Sequence, residues 1–310
     1  MSGRLWLGVA ALALIALPWL MPNDFYVNLA SQILIYAIWA LSLNVLVGFA
    51  GMQSLGHAAY LGGGAYVCAW LVANAGLGHG AAALLTLVLV SAMAGLFGVL
   101  ALRASGLGFL MITLALGQIL WGVAYRWVDV TGGDNGIRLP ARPVPLGLPL
   151  DRPAPFYFFA LAVFALALLA MTRLAGSPYG AALRGTRDQP RRMSALGYNV
   201  WLIRWSAFVL AGFWGAVAGL LYVYYNKFVS PQALSLQQSA EVLIMTILGG
   251  VGSIIGPVVG AVIITVVKTV VSSYVDRWNT LLGALFLVVI VFMPEGVVPG
   301  LRRLGRRLLR

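Results

Sequence analysis

The chain has 310 residues, 61% of them hydrophobic and 9% charged, with a formal net charge of +12 and a mean hydropathy of +0.94. Soluble domains carry about 25% charged residues, so this composition excludes a soluble globular protein. The basic residues stand between and after long apolar runs, not in a stripe interleaved with aromatics, so the charge speaks for membrane topology and against nucleic-acid binding.

Ten apolar segments are predicted in chain order, at roughly 4–21, 27–47, 57–74, 81–102, 108–128, 155–174, 202–225, 238–250, 254–275 and 279–298. The first resembles a signal-peptide core behind Arg4. However, Pro18, Trp19 and Met21 stand where small residues would mark cleavage, so it reads as a membrane helix. Spans in lipid must satisfy their own backbone hydrogen bonds, and the alternation of a membrane barrel is absent. The expected fold is an all-α polytopic membrane protein, a single domain over 1–310 with about ten transmembrane helices, some broken at glycines. With the N-terminus inside, Arg103, the group from Arg173 to Arg204 and the tail from Arg302 to Arg310 face the cytoplasm, and an even helix count returns the C-terminus to the same side. The tail is a basic, partly amphipathic anchor for the lipid bilayer.

Two loops are long. The outer one, 129–154, is rich in Gly and Pro and is expected to be irregular. The inner one, 175–201, carries helix signals. Ser177 and Pro178 form an N-cap and first position, Asp188-Gln189-Pro190 makes a break and restart, and Gly197 is a left-handed stop. Ordinary connectors are short, so this compact basic elbow reads as a docking element for a cytoplasmic partner.

Two glycine-rich breaks occupy corresponding places: Gly48-Phe-Ala-Gly51-Met-Gln-Ser-Leu-Gly56-His57 and Gly249-Gly250-Val-Gly252-Ser-Ile-Ile-Gly256-Pro257. Paired interruptions in two halves of a membrane protein point to a repeat and a central pathway. Gly252, Gly256 and Gly260 share the four-residue spacing that admits a close helix neighbour, as do Gly215 and Gly219, and Gly62 to Gly64 thin one side of the third helix. Glu241, beside Gln237, Gln238 and Ser239, is a carboxylate either buried at membrane depth or anchored at the interface. His57 and Gln118 are polar positions inside the bundle, and Lys268 is long enough to snorkel. The candidates for a translocation pathway are Gly51, Gln53, Ser54, Gly56, His57, Gln118, Glu241, Gly249, Gly250 and Gly252. The lone Cys68, the two histidines His57 and His79, and the lack of HExxH, CxxC or GxxxxGK[ST] leave no catalytic cluster, metal site or nucleotide site in the sequence.

Five motifs recur in one order. LNVLVGFAGMQSLGHAAYLGGGAY (43–66) is similar to the M-type permease subunits of branched-chain amino-acid ABC importers, and so are ITLALGQILWGVAYRW (112–127) with TGGDNGI (131–137). SPYGAALRGTRDQPRRMSALGYNVWLIRWSAF (177–208) resembles their cytoplasmic coupling segment, LIMTILGGVGSIIGPVVGA (243–261) their late glycine signature, and MPEGVVPGL (293–301) their end. Pro190-Arg-Arg-Met193 departs from the pattern, which is often richer there in Glu and Ala.

The resemblance implies a permease domain of the bacterial cytoplasmic (inner) membrane with both termini cytoplasmic. Its partners would be a second homologous permease, two cytoplasmic ATP-binding subunits that hold ATP and Mg, and an external solute-binding protein; no cofactor is expected in this chain. The elbow becomes the coupling helix, with Ala181, Arg184, Arg187, Asp188, Arg191, Ala195, Leu196 and Gly197 toward the ATPase, and Gly132, Gly133, Asp134, Asn135 and Gly136 belong to the external loop. Branched-chain amino acids are the implied solutes, with other amino acids or urea handled by the same family type. The rival classes are an ion-coupled secondary transporter using Glu241 and a membrane enzyme, which would need clustered reactive groups.

Overall fold

The computed structural model describes residues 12–21, 23–143, 150–272 and 296–300, together with positions 280, 283 and 287. The described residues are overwhelmingly helical. Helix α1 covers 12–20, and α2 (Asp24–Asn44) continues through a π-turn, Val45–Phe49. Then come α3 (Ala58–Ala73), α4 (His79–Ala101), α5 (Leu107–Arg126), the short α6 (Val128–Thr131), α7 (Pro153–Gly176), α8 (Pro178–Asp188), α9 (Pro190–Ala195), α10 (Val200–Asn226), α11 (Leu236–Gly249), α12 (Ile255–Ser272) and α13 (297–300). Among these residues five helices are long and apolar enough to cross a membrane: Asp24–Phe49, His79–Ala101, Leu107–Arg126, Pro153–Gly176 and Val200–Asn226. The predicted spans at 57–74 and 254–275 are shorter apolar helices, and the one at 238–250 is the 14-residue α11. The predicted span at 279–298 and the basic tail lie almost wholly outside the described residues, and the first is described only from residue 12.

Burial divides the bundle into two layers. The most apolar stretch of α2 is 89% buried, whereas that of α5 is 22% buried and presents Leu107, Met111, Ile119 and Val123 outward. A helix that is apolar all round has no outward face to spare, which suits the α2 sequence to the centre. It packs against α7, α10, α11 and α12, and α10 in turn packs against α3 and α4. Lipid is as apolar as leucine, so close approach has to replace the hydrophobic drive. Small residues supply it: a Cβ on Gly64 would meet the Ala216 backbone at 2.9 Å, and one on Gly219 would meet the Leu61 carbonyl. The three consecutive glycines of α3 do not thin one side. Gly62 faces Ala233 and Leu234, Gly63 faces Met93 of α4, and Gly64 faces α10, because successive helical positions point about 100° apart.

The end of the bundle away from the elbow is more ordered than its Gly/Pro content suggests. Beyond α6, Gly133–Asn135 form a 3-10 turn, and β1 (Ile137–Arg138) pairs antiparallel with β2 (Phe228–Val229). Arg142 then closes this end. Its Nε and Nη2 donate to the carbonyls of Tyr224 and Tyr225 at 2.7 Å each, and its Nη1 donates to Leu150 O at 2.8 Å. The Tyr224 and Tyr225 carbonyls belong to the last turn of α10, where intrahelical donors run out and a cation is favoured.

From β2 the chain turns back along α3 through a single 3-10 turn, without an α-helix. The buried turn Pro231–Leu234 lies against Gly62 of α3, and further on Ser239 Oγ accepts from Ala58 N at 3.0 Å. The short α11 therefore starts part-way along α3. Non-helical backbone at such depth survives because protein, not lipid, surrounds it.

Candidate functional site

The elbow has the shape its sequence signals. Ser177 Oγ accepts from Gly180 N at 3.1 Å, Pro178 opens α8, Gln189 separates α8 from α9, and Gly197 sits at φ +86°. That φ is left-handed and suits glycine, so the stop at the end of the elbow is set by residue type. One face of α8 is buried through Gly180, Ala182, Leu183 and Thr186. Ala181, Arg187, Asp188, Arg191, Ala195, Leu196 and Gly197 are exposed, and Arg184 is half-buried. The exposed surface is basic and also carries large apolar groups, Leu196 and Tyr198.

Three arginines tie this surface to the helices. Arg184 Nη1 donates to Ala175 O at the end of α7 (2.9 Å), and Arg204 Nη2 of α10 donates to Thr186 O of α8 (2.7 Å). Arg187 Nη1 donates to Gly48 O in the π-turn after α2, at 2.6 Å, while its Nε pairs with Asp188 Oδ1 at 2.7 Å. The hydrogen bond from Arg187 holds the exposed Asp188 carboxyl below its usual range.

The two glycine-rich breaks meet each other. Asn44, fully buried, accepts from Gly252 N through Oδ1 and donates to Ser253 O through Nδ2, both at 2.9 Å. A Cβ on Gly48 would lie 2.6 Å from Gly252 N, so the contact exists only because position 48 lacks one. Ser253 Oγ turns the second break into α12 by donating to Gly250 O and accepting from Gly256 N, each at 2.9 Å. Gly252 thus belongs to a turn at φ +78° and not to the helical stripe expected with Gly256 and Gly260, which do lie in α12. Serine as a local cap stops the helical register before position 252 can join it.

Among the described residues the pathway candidates stand in several surroundings. Gly51 and Gln53 line a cavity of about 610 Å³ with Ser105, Gly106, Trp201 and Arg204, beside the elbow. Gly249 and Gly250 are buried against α12, where Gly249 faces Gly256. Ser54 is buried and accepts from Gly56 N at 3.3 Å, and Gly56 abuts Thr113 of α5. His57 is fully buried. Its Nε2 lies 2.7 Å from Ser42 Oγ, and its ring stacks on Trp39 and meets Tyr60 edge-on. Gln118 is half-buried on α5, next to Gly117, which faces Gly56.

Glu241 is 3% exposed, and Lys268 Nζ reaches both of its carboxylate oxygens at 2.9 and 3.0 Å. Lys268 therefore reaches from α12 across to α11. A buried pair of this kind is destabilised by about 3–5 kcal/mol when one partner alone is removed. Of the residues expected in the external loop, Gly132, Gly133 and Gly136 take positive φ, and Asp134 and Asn135 are exposed in the 3-10 turn. Asn44, Ser253 and Arg204 were not singled out in the sequence. A polar Asn in the apolar run Leu-Asn-Val-Leu-Val was the available signal for the first. No group of three or more His, Cys, Asp or Glu among the described residues forms a metal site.

Comparison with known proteins converges on one kind of protein. A family model described as branched-chain amino acid transport system / permease component matches residues 25–293. The high-affinity branched-chain amino acid transport system permease protein LivM of Salmonella typhimurium is 31% identical over 93% of this chain and 74% of its own length. LivM of Escherichia coli is 28% identical over 94% of this chain and 74% of its own length. A probable branched-chain amino acid transport permease protein LivM of Methanocaldococcus jannaschii is 24% identical over 88% and 94%. No solved structure matches.

Proposed function

Because the chain belongs to the branched-chain amino acid transport permease family and is a multi-pass membrane protein, we propose that it is the membrane-spanning permease subunit of an ATP-driven importer. In this reading it sits in the bacterial inner membrane beside a second homologous permease, with both termini and the elbow in the cytoplasm. Two ATP-binding subunits dock on the elbow and supply ATP and Mg chemistry, and an external binding protein delivers the solute to the loop end. The solute is a branched-chain amino acid or a related small polar molecule such as another amino acid or urea.

One observation carries this reading. A capped helical elbow presents an exposed basic and apolar face outward while its opposite side is bonded to the π-turn after α2. An element so built can take a push on one side and deliver it on the other. The rival in which Glu241 binds a coupling ion has less support, because both carboxylate oxygens are already engaged by Lys268.

The test is to purify the chain in mild detergent with its natural partners and place a cysteine at Ala195. Copurifying ATPases that crosslink to that cysteine, together with ATP-dependent leucine uptake in proteoliposomes, are expected. Uptake driven by an ion gradient alone, with no ATPase bound, would overturn the reading.

A further inference from the structure

The three arginine tethers of the elbow are unequal. Arg184 and Arg204 join it to α7 and α10, the helices on either side of it in the chain, across separations of 9 and 18 residues. Those links would hold wherever the loop went. Arg187 reaches a carbonyl 139 residues away. The carbonyl belongs to Gly48, whose backbone contacts Gly252, while Asn44 one turn earlier clamps both Gly252 and Ser253. A continuous line of bonded groups thus runs from the last turn of α8, through the end of α2, to the start of α12.

We propose that Arg187 is a positioning residue that makes the elbow and both glycine breaks one rigid unit, so that displacing the elbow moves the ends of α2 and α12 together. This rests on the reading that a cytoplasmic ATPase pushes the elbow. The residue type suits the task. A guanidinium offers donors on separate edges, so one edge holds Asp188 while another holds Gly48 O, and the fork has a fixed orientation. The stem of Arg187 also lies over Gly51, where position 51 has no side chain to displace it. The accepting carbonyl stands where α2 leaves its helical ladder at a π-turn, so it has a lone pair free for an outside donor.

The experiment uses the complete transporter in lipid nanodiscs, with spin labels on Arg191→Cys of α9 and Val251→Cys of the second break, both exposed positions. The distance between them is measured without nucleotide and after trapping with ATP and vanadate. One narrow distance, unchanged by trapping, is expected when Arg187 is present. Arg187→Met should broaden the distribution and let it shift on trapping, with the uptake of leucine per ATP falling about tenfold or more, the scale of one lost charge-assisted hydrogen bond. Arg187→Lys, with one donor group in place of a fork, should fall between. Asn44→Asp provides a second probe, because its new acceptor faces Ser253 O and loosens the second break while Arg187 stays bonded. It should broaden the same distance. A narrow, wild-type distance in Arg187→Met overturns the role of Arg187, and one in Asn44→Asp overturns the link through the second break. The Ala195→Cys crosslink, run on a parallel sample, separates the two levels. Its loss in the otherwise native chain removes the ATPase reading. Its retention beside an unaltered Arg187→Met distance removes only the role of Arg187.

Discussion

The two ends of this bundle solve one problem, holding non-helical backbone in place, with the same residue type and opposite outcomes. At the loop end Arg142 directs its donors inward, onto the carbonyls of Tyr224, Tyr225 and Leu150, and the β1–β2 ladder closes over the remainder. At the elbow end Arg187 gives one edge to Gly48 O and the other to the exposed Asp188, and leaves around it a surface that includes Arg191, Arg192, Leu196 and Tyr198. The first arrangement finishes a rim. The second leaves a rim with a handle on it. Arginine alone does not decide which results; what decides is whether the neighbouring backbone is folded over it or held out to solvent.

That contrast can be broken most severely at the elbow end. Gly48→Val would drive a side chain into the Gly252 backbone, and overpacking against backbone should cost about 3 kcal/mol or more. Size-exclusion chromatography and melting in detergent should show loss of the folded chain. A monodisperse variant with a native melting midpoint would mean the breaks are not in contact. Next comes Arg142→Ala, which removes the guanidinium donors to Tyr224, Tyr225 and Leu150 at the loop end. A loss of about 2–3 kcal/mol is expected, with a lower melting midpoint, because charged donors to helix-end carbonyls are among the stronger hydrogen bonds. Leucine uptake per ATP should survive it, since no part of the elbow is touched.

Gly197→Val inverts that pattern. The strain at φ +86° is worth about 1 kcal/mol, small for stability, yet it falls on the last turn of the handle. Uptake should drop while melting barely moves; the reverse result would make the elbow an ordinary connector. The smallest effect belongs to Asp151. Its carboxyl is held below the usual range by the hydrogen bond from Lys227. A depressed folded value stabilises above the ordinary carboxylate range and loses that stability as pH falls through it. Asp151→Asn should therefore lower the melting midpoint only above the ordinary carboxylate range, the difference from the native chain vanishing at acid pH, and only slightly, because the pair is exposed.

The elbow was legible in the sequence because its signals are local. A hydroxyl, a proline and a glycine fix where α8 and α9 begin and end within a few positions of themselves. The long spans and the shortness of α11 were legible for a similar reason, since run length is a local property. What joins the parts was not. Asn44 finds its partners 208 and 209 residues away, and Lys268 finds Glu241 across two helices. No periodicity records such pairings. The stripe drawn through Gly252, Gly256 and Gly260 failed because spacing cannot tell a helix from the turn that precedes it. The loop over 129–154 misled in the other direction: its glycines and prolines are turn-formers, and only a strand about 90 positions later gives β1 something to pair with.

That last dependence sets an order of events during synthesis. Arg142 leaves the ribosome 82 residues before the Tyr224 carbonyl of α10 that it will bind, and Asn44 leaves 209 residues before Ser253. At roughly 5–20 residues per second, the loop end stays open for about 4–16 s and the joined glycine breaks for about 10–40 s after their first halves appear. The first five helices are therefore in the membrane before either end of the bundle has closed. A nascent chain halted before the end of α10 would carry both ends unfinished, a recognisable substrate for membrane quality control.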